Sequence, residues 1–307
     1  MEWKKLGRIF APNHEIVWMN SHAAVPFVEK LESSYFKIYF TTRNKENKSL
    51  IAWIIIDIKN PFEIIEISNE PILDLGSLGF FDEDGTMGSQ LININNQKFL
   101  YYQGWNLATS VQFRNSIGLA TYDEDSKSFK KISKGPIMDR SIYDNCFVAT
   151  PNVIKIEDQK YFMYYLSCDE WVSKNEKLTH KYNIKIAESI DGINWVRYGK
   201  IAINYQSDKE YAFSVPRVIM ESGIFKMWYS YRASNINETY RMGYAESLNG
   251  LDWERKDGEV GIDVSKEGWD SQMICYPYIF DYEGARYMLY NGNDYGRTGF
   301  GIAVLQY

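Results

Sequence analysis

The sequence predicts an all-β fold: a ring of five four-stranded antiparallel units. Three observations carry that expectation. The first is a repeat, in which SVPRVI, IFKMWYSYR, RMGYAES and NGLDWERKDGEVGI follow the order of ATPNVI, QKYFMYYLS, NIKIAES and DGINWVRYGKIAI. The second is segment length, since each apolar run suits a strand, is too short for a helix and is bounded by turn residues. The third joins the two ends of the chain. The last unit reaches Tyr307 after three strands, while Trp3-KKLGRIFA matches Trp195-VRYGKIAI in spacing and can supply the fourth.

Alignment on Pro151 gives Pro26, Ser89, Pro216 and Pro277 as equivalents, at separations of 63, 62, 65 and 61 residues. The second strands are YFKIYFTTR, KFLYYQGW, KYFMYYLS, FKMWYSYR and RYMLYNGN. The third are SLIAWIIID, SIGLATYD, NIKIAES, RMGYAES and FGIAVLQ, and the fourth start at Phe62, Phe129, Trp195 and Trp253. Units of this kind bury a continuous core only when stacked on their neighbours. Four-stranded units joined through the chain ends describe a five-bladed β-propeller, with the N-terminal strand completing the last blade and no long sheet edge left at the seam. No linker interrupts the pattern, so residues 1–307 read as one domain. The longest polar insertion, 169–182, falls between strands two and three of the third unit and reads as a solvated loop or a cover over one face.

Composition narrows the function classes. The aromatic content of 16%, with 24 Tyr, 16 Phe and 9 Trp, suits inter-sheet packing and, in a cleft, stacking on sugar rings. A net charge of −6 without a basic block argues against nucleic acid and anionic membranes as partners. Cys146, Cys168 and Cys275 are odd in number and lack zinc spacing, which fits a reducing compartment. The N-terminal stretch carries no apolar signal region and no run approaches a membrane span, so the expected location is the cytoplasm. No cofactor or metal is implied, and nothing in the pattern fixes an oligomeric state.

Antiparallel order sorts the loops by face. The approach to strand one and the exit from strand two open on the same mouth of the ring. Entering strand one, the units present Asn20-Ser21-His22, Asp82-Glu83-Asp84, Asp144-Asn145, Glu210-Tyr211 and Asp270-Ser271. Leaving strand two they present Arg43, Gln103-Gly104-Trp105, Ser167-Cys168-Asp169, Tyr231-Arg232 and Asn291-Gly292-Asn293, with Arg217 just after Pro216. Acids, amides, aromatics and arginines around one mouth fit a small polar ligand. Asp144, Asp82, Asp84 and Glu210 are the candidate catalytic carboxylates, because grouped carboxylates can be tuned apart into acid and base. His22, Arg43, Trp105, Asp169, Arg217, Arg232, Asp270, Asn291 and Asn293 are the candidate substrate-binding residues. A turn or backbone cap repeated in each unit explains the periodic Asp equally well.

The five-fold repeat, the run Ala187-Glu188-Ser189-Ile190-Asp191-Gly192 to Trp195, and Tyr290-Asn291-Gly292-Asn293 resemble the five-bladed propeller glycosidase superfamily. That group includes arabinanases, xylosidases, invertases, levansucrases and the mannoside phosphorylases. The resemblance implies a glycoside hydrolase- or phosphorylase-like enzyme with two carboxylates flanking the scissile bond. The first unit departs from the hydrolase pattern, carrying Asn20-Ser21-His22 where those enzymes place an Asp. Phosphorylases of the group rely on one main acid and basic groups for phosphate, a role His22, Arg43, Arg217 and Arg232 suit in kind. The expected function is cleavage or transfer of a glycosyl unit of a small glycoside, sugar phosphate or nucleotide-linked sugar. The alternatives are a propeller that binds a glycan or sugar nucleotide without cleaving it, and a scaffold for a protein partner.

Overall fold

The computed structural model describes residues 1–174 and 177–306, almost all of them in strands or the turns between strands. The chain opens with β1 (Glu2–Phe10). Unit one is β2 (Ser21–Lys30), β3 (Tyr35–Arg43), β4 (Ser49–Asp57) and β5 (Asn60–Ile67). Unit two is β6 (Gly85–Ile94), β7 (Gln97–Leu107), β8 (Phe113–Asp123) and β9 (Ser128–Lys131). Unit three is β10 (Phe147–Glu157), β11 (Lys160–Lys174), β12 (Lys177–Ser189) and β13 (Val196–Ile203). Unit four is β14 (Glu210–Glu221), β15 (Ile224–Ala233), β16 (Asn237–Ser247) and β17 (Glu254–Arg255). The last unit is β18 (Cys275–Tyr282), β19 (Ala285–Asn291) and β20 (Phe300–Gln306), and β1 pairs antiparallel with β20 as its fourth strand. Among the described residues, no helix is long and apolar enough to cross a membrane.

Strand period explains why the second strands are apolar throughout. In β11, Tyr161, Met163 and Tyr165 pack against unit two while Phe162 and Tyr164 pack against unit four. The same alternation sends Leu100 and Tyr102 of β7 to unit one, and Phe99 and Tyr101 to unit three. Each sheet is therefore buried on both faces, which replaces the usual polar alternation with a continuous hydrophobic run. An apolar cluster lies between every consecutive pair of units, and Phe36, Ile38, Leu289 and Phe300 fill the one between unit one and the last unit. The first strands touch in a cycle, β2 to β6, β10, β14, β18 and back to β2.

The aligned prolines mark a second regularity. Every first strand breaks register with its second strand at that point: between Ala24 and Phe27, Gly88 and Gln90, Ala149 and Asn152, Ser214 and Arg217, and Cys275 and Tyr278. These are β-bulges, and proline tolerates them because it has no N–H to contribute to the ladder. The residue before each proline has positive φ: Val25 at 51°, Thr150 at 45°, Val215 at 49° and Tyr276 at 57°. For β-branched residues this backbone is strained, so neighbouring strands must hold it. Asn291 Oδ1 accepts the Val25 N–H at 2.8 Å and Ser230 Oγ accepts that of Tyr276 at 2.8 Å.

The terminal strand is seated by Trp3, which is 5% exposed and meets Trp228 edge-on with ring centroids 6.3 Å apart. Trp3→Ala is expected to cost about 3–5 kcal/mol in urea denaturation. A loss under about 1 kcal/mol, the level of an ordinary surface change, would mean that β1 is not part of the cooperative core.

Candidate functional site

The periodic acids turn out to be locks within the units. Asp82, 1% exposed, accepts Tyr102 Oη at 3.0 Å and pairs with Lys131 at 2.6 Å. Asp144, fully buried, accepts Tyr165 Oη at 3.1 Å, Ser167 Oγ at 2.7 Å and Arg197 Nη1 at 2.8 Å. Asp270, 3% exposed, accepts Tyr290 Oη at 3.1 Å and Lys5 Nζ at 2.7 Å. In unit four, Tyr229 donates to Asp257, and Arg255 bridges Asp257 to Glu210 through bonds of 2.6 and 2.9 Å. Burial pushes the Glu210 carboxyl up, but its bonds from Arg255 and the Gln206 N–H prevail and hold its pKa below the ordinary value. Each lock ties the entry to strand one, or in unit four the turn after strand four, to a second-strand tyrosine and a fourth-strand cation.

That placement corrects the expectation of free carboxylates at one mouth. With partners on both oxygens and no exposed surface, Asp144 cannot meet a substrate without breaking its ion pair, and Asp82 and Asp270 are held likewise. Asp84 accepts the Leu107 N–H at 2.8 Å and stands 3.6 Å from Lys48. Asp169 is taken up by Asn183 at 2.7 Å and Lys185 at 3.1 Å. Asn291 bonds Val25, Ala23 and Gly299, and Asn293 bonds Gln272, Met273 and Gly268, so both amides are spent on the backbone. Trp105 fills the space that the missing side chain of Gly85 leaves.

The open volume lies elsewhere, in a cavity of about 790 Å³. Every first strand reaches it through a residue at or beside its bulge: Val25, Met87, Thr150, Val215 and Tyr276. Its walls come from the β11–β12 hairpin (Val172, Leu178, His180, Tyr182), from unit four (Tyr211, Arg232, Tyr240) and from Tyr295. The tip of the predicted insertion, 175–176, lies outside the described residues; its stem forms one wall of the cavity. Of the residues expected from the sequence, only Arg232 lines the cavity.

Arg232 is half-buried in a tyrosine collar. Its guanidinium carbon sits 4.9 Å from the Tyr211 ring centre, 4.8 Å from Tyr240 and 6.0 Å from Tyr295, and Nη1 donates to Tyr295 Oη at 3.0 Å. Among the described residues no carboxylate stands within ion-pair distance of it. Lys209 and Lys181 add positive charge to the lining, and its acids, Asp208 and Glu238, are both exposed. Tyr182 and Tyr240 share a hydrogen bond between their hydroxyls, and burial pushes the Tyr182 phenol up to about 12. His180 is stacked on Tyr182 at 4.9 Å; burial first, and then Arg232, lower its pKa to about 4. At neutral pH its imidazole is uncharged.

His22 and Arg43 stand beside each other at the seam between the first and last units, where Ser21 pairs with Arg43 across β2 and β3. Asn291 and Gly296 pack on Ala23, which brings Arg297 to the same seam. Burial, then Arg43 and Arg297, lower His22 to about 4. None of the three lines the cavity. Of the lining residues that sequence reasoning missed, His180 and Tyr182 belong to the inserted hairpin and Tyr295 to the loop after β19, whereas Tyr240 and Tyr276 lie on the repeat strands β16 and β18. Tyr276, directly before the aligned Pro277, carried a positional signal.

No protein-family model matches the chain. The "Uncharacterized protein Rv1502" of Mycobacterium tuberculosis is 39% identical over 306 residues, covering 100% of both chains. A 1,2-beta-oligomannan phosphorylase of Thermoanaerobacter sp. is 35% identical over 71 residues, 23% of this chain and 24% of that protein. Among solved structures, one described as a glycoside hydrolase superposes with a TM-score of 0.77 at 16% identity, over 98% of this chain and 90% of the other. A thermostable family-43 glycoside hydrolase gives 0.68 at 20% identity, over 92% and 88%. The resemblance to the five-bladed propeller glycosidase superfamily is thereby shown at the level of the fold.

Two expectations follow from the locks and the buried imidazoles. Asp144→Ala should cost about 3–5 kcal/mol, because it strands the Arg197 charge. Adding Arg197→Met should recover part of that loss in a double-mutant cycle, and additive losses would refute the lock. With His22 and His180 protonating near pH 4 when folded and near 6.5 when unfolded, the unfolded state binds more protons between those values. Stability is therefore full above pH 6.5 and falls as pH drops towards 4. In urea midpoints from pH 7 to 4.5, His180→Phe should show a shallower decline, and an unchanged slope would exclude His180 as a contributor.

Proposed function

The chain belongs to the family of the mycobacterial protein Rv1502, and we propose that it is a carbohydrate-active protein whose cavity binds a small sugar together with a phosphate or similar anion. In this reading residues 1–307 form one domain, and the five units are the blades of a closed five-bladed propeller. The cycle of first-strand contacts and the apolar cluster between the last and first units support that closure. The observation that carries the functional reading is Arg232, a cation facing the cavity within a tyrosine collar and without a carboxylate partner. A guanidinium so placed is matched by an oxyanion, and flanking aromatic rings suit a sugar face.

Among reactions available to this fold, phosphorolysis asks least of the carboxylates. One acid protonates the glycosidic oxygen as its bond to the anomeric carbon breaks. A phosphate oxygen bonds to that carbon, giving a sugar 1-phosphate and a free hydroxyl on the leaving group. Phosphate replaces the second carboxylate and the water of a hydrolase. Glu238 or Asp208 would serve as the acid, Arg232 and Lys209 would hold phosphate, and Arg43 and Arg297 would add positive potential from the seam beside an uncharged His22. The matched segment of an oligomannan phosphorylase supports mannosides as first substrates to try. Three free thiols accord with a reducing, intracellular setting. The second reading, a binder without turnover, is favoured by the locking of Asp82, Asp144 and Asp270 in ion pairs.

Phosphorus NMR of the protein with β-mannosides and inorganic phosphate should show a sugar 1-phosphate. Arg232→Ala should weaken phosphate binding roughly 10- to 100-fold, the value of a charge-assisted hydrogen bond. Binding that loses phosphate dependence in Arg232→Ala, with the sugar recovered intact, would select the second reading. Wild-type affinity in the variant would remove Arg232 from the site and sink both.

A further inference from the structure

Beyond the bulges, β14 carries a second cation without a carboxylate partner among the described residues. Arg217 is on β14, two residues past the cavity-lining Val215, and is only 3% exposed. Its Nη2 reaches across to unit two and donates to the carbonyl of Ser89. Its guanidinium lies 4.6 Å from the ring centre of Tyr278 in the last unit. Nε and Nη1 are buried without a hydrogen-bond partner, and no carboxylate among the described residues pairs with it. The neighbouring polar groups are already engaged. Ser89 Oγ donates to Pro151 O at 2.7 Å, Gln90 bonds Asn152 and Val153, and Asn152 Oδ1 accepts the Val218 N–H at 2.8 Å.

Burial lowers the Arg217 guanidinium to about 10, which leaves it protonated at neutral pH. A buried charge persists only when paired, and one tyrosine face compensates a small part of the cost. Water would satisfy the free N–H groups and leave the charge unneutralised. We propose that a small inorganic anion of halide size binds on Nε and Nη1 of Arg217, where its guanidinium already joins unit four to Ser89 of unit two and Tyr278 of the last unit. This site is independent of the sugar cavity and of any turnover there.

The test compares thermal unfolding of the whole protein in sodium chloride and sodium gluconate at equal ionic strength and pH, together with anomalous diffraction from crystals grown in bromide. Chloride well above its dissociation constant should raise Tm by roughly 5 °C over gluconate, and a bromide peak should lie against the guanidinium. Arg217→Met should abolish the chloride-specific rise. Equal Tm in the two salts, or ordered water in place of a bromide peak, would overturn the proposal. If Arg217→Met fails to fold, the two wild-type measurements still decide it.

Discussion

The buried carboxylate lock is the interaction on which the units depend. A four-stranded sheet buried on both faces has little to hold its outermost strand except ladder bonds, and in units two and four that strand is only four and two residues long. The lock supplies what the ladder lacks. An acid near the entry of strand one, or just after strand four in unit four, takes a tyrosine hydroxyl from strand two and a cation from strand four, so one carboxylate ties the innermost and outermost strands. In the last unit the cation is Lys5 of β1, and the same bond holds the terminal strand in register. The first unit shows what happens without it. Met19, Phe40 and Ile64 occupy the three positions, two of them in the apolar cluster against the last unit, and β5 leaves Phe62 and Ile65 half-exposed.

The bulges do for the inner strands what the locks do for the outer ones. A regular first strand would send alternate side chains into the two flanking sheets and leave nothing aimed along the axis. One extra residue per strand, held at positive φ, turns Val25, Thr150, Val215 and Tyr276 towards the cavity. The strain is shared among units, since Asn291 bonds Val25 and Thr150 Oγ1 accepts the Val215 N–H at 3.3 Å. Cavity shape is therefore a property of the assembled units and of no single repeat.

The repeat made the fold legible, down to the pairing of Trp3-KKLGRIFA with the last strand. The site was less so, and for a definite reason. An Asp recurring seven residues before an aligned proline has the same spacing whether it serves chemistry or architecture. The cue that separates the two was present: Lys131, Arg197, Arg255 and Lys5 each stand two residues after the aromatic that opens strand four. A periodic acid with a periodic cation is a lock. Arg232 was legible because it leaves strand two towards the mouth, although Arg43 has the same place in unit one and does not line the cavity. His180 and Tyr182 were hidden because they belong to the inserted hairpin, whose reach depends on tertiary packing.

The charge pattern that results constrains the chemistry. By drawing its periodic acids into ion pairs, the fold leaves Arg232 and Arg217 without carboxylate partners among the described residues, one facing the cavity and one two residues past the cavity-lining Val215. A two-carboxylate hydrolase needs the opposite arrangement, with acids free and cations neutralised. An axis of uncompensated positive charge lined with tyrosines is instead suited to ligands that bring their own negative charge. If the proposed sugar and anion bind there, a neutral sugar alone would leave the Arg232 guanidinium without a carboxylate or anion partner among the described residues.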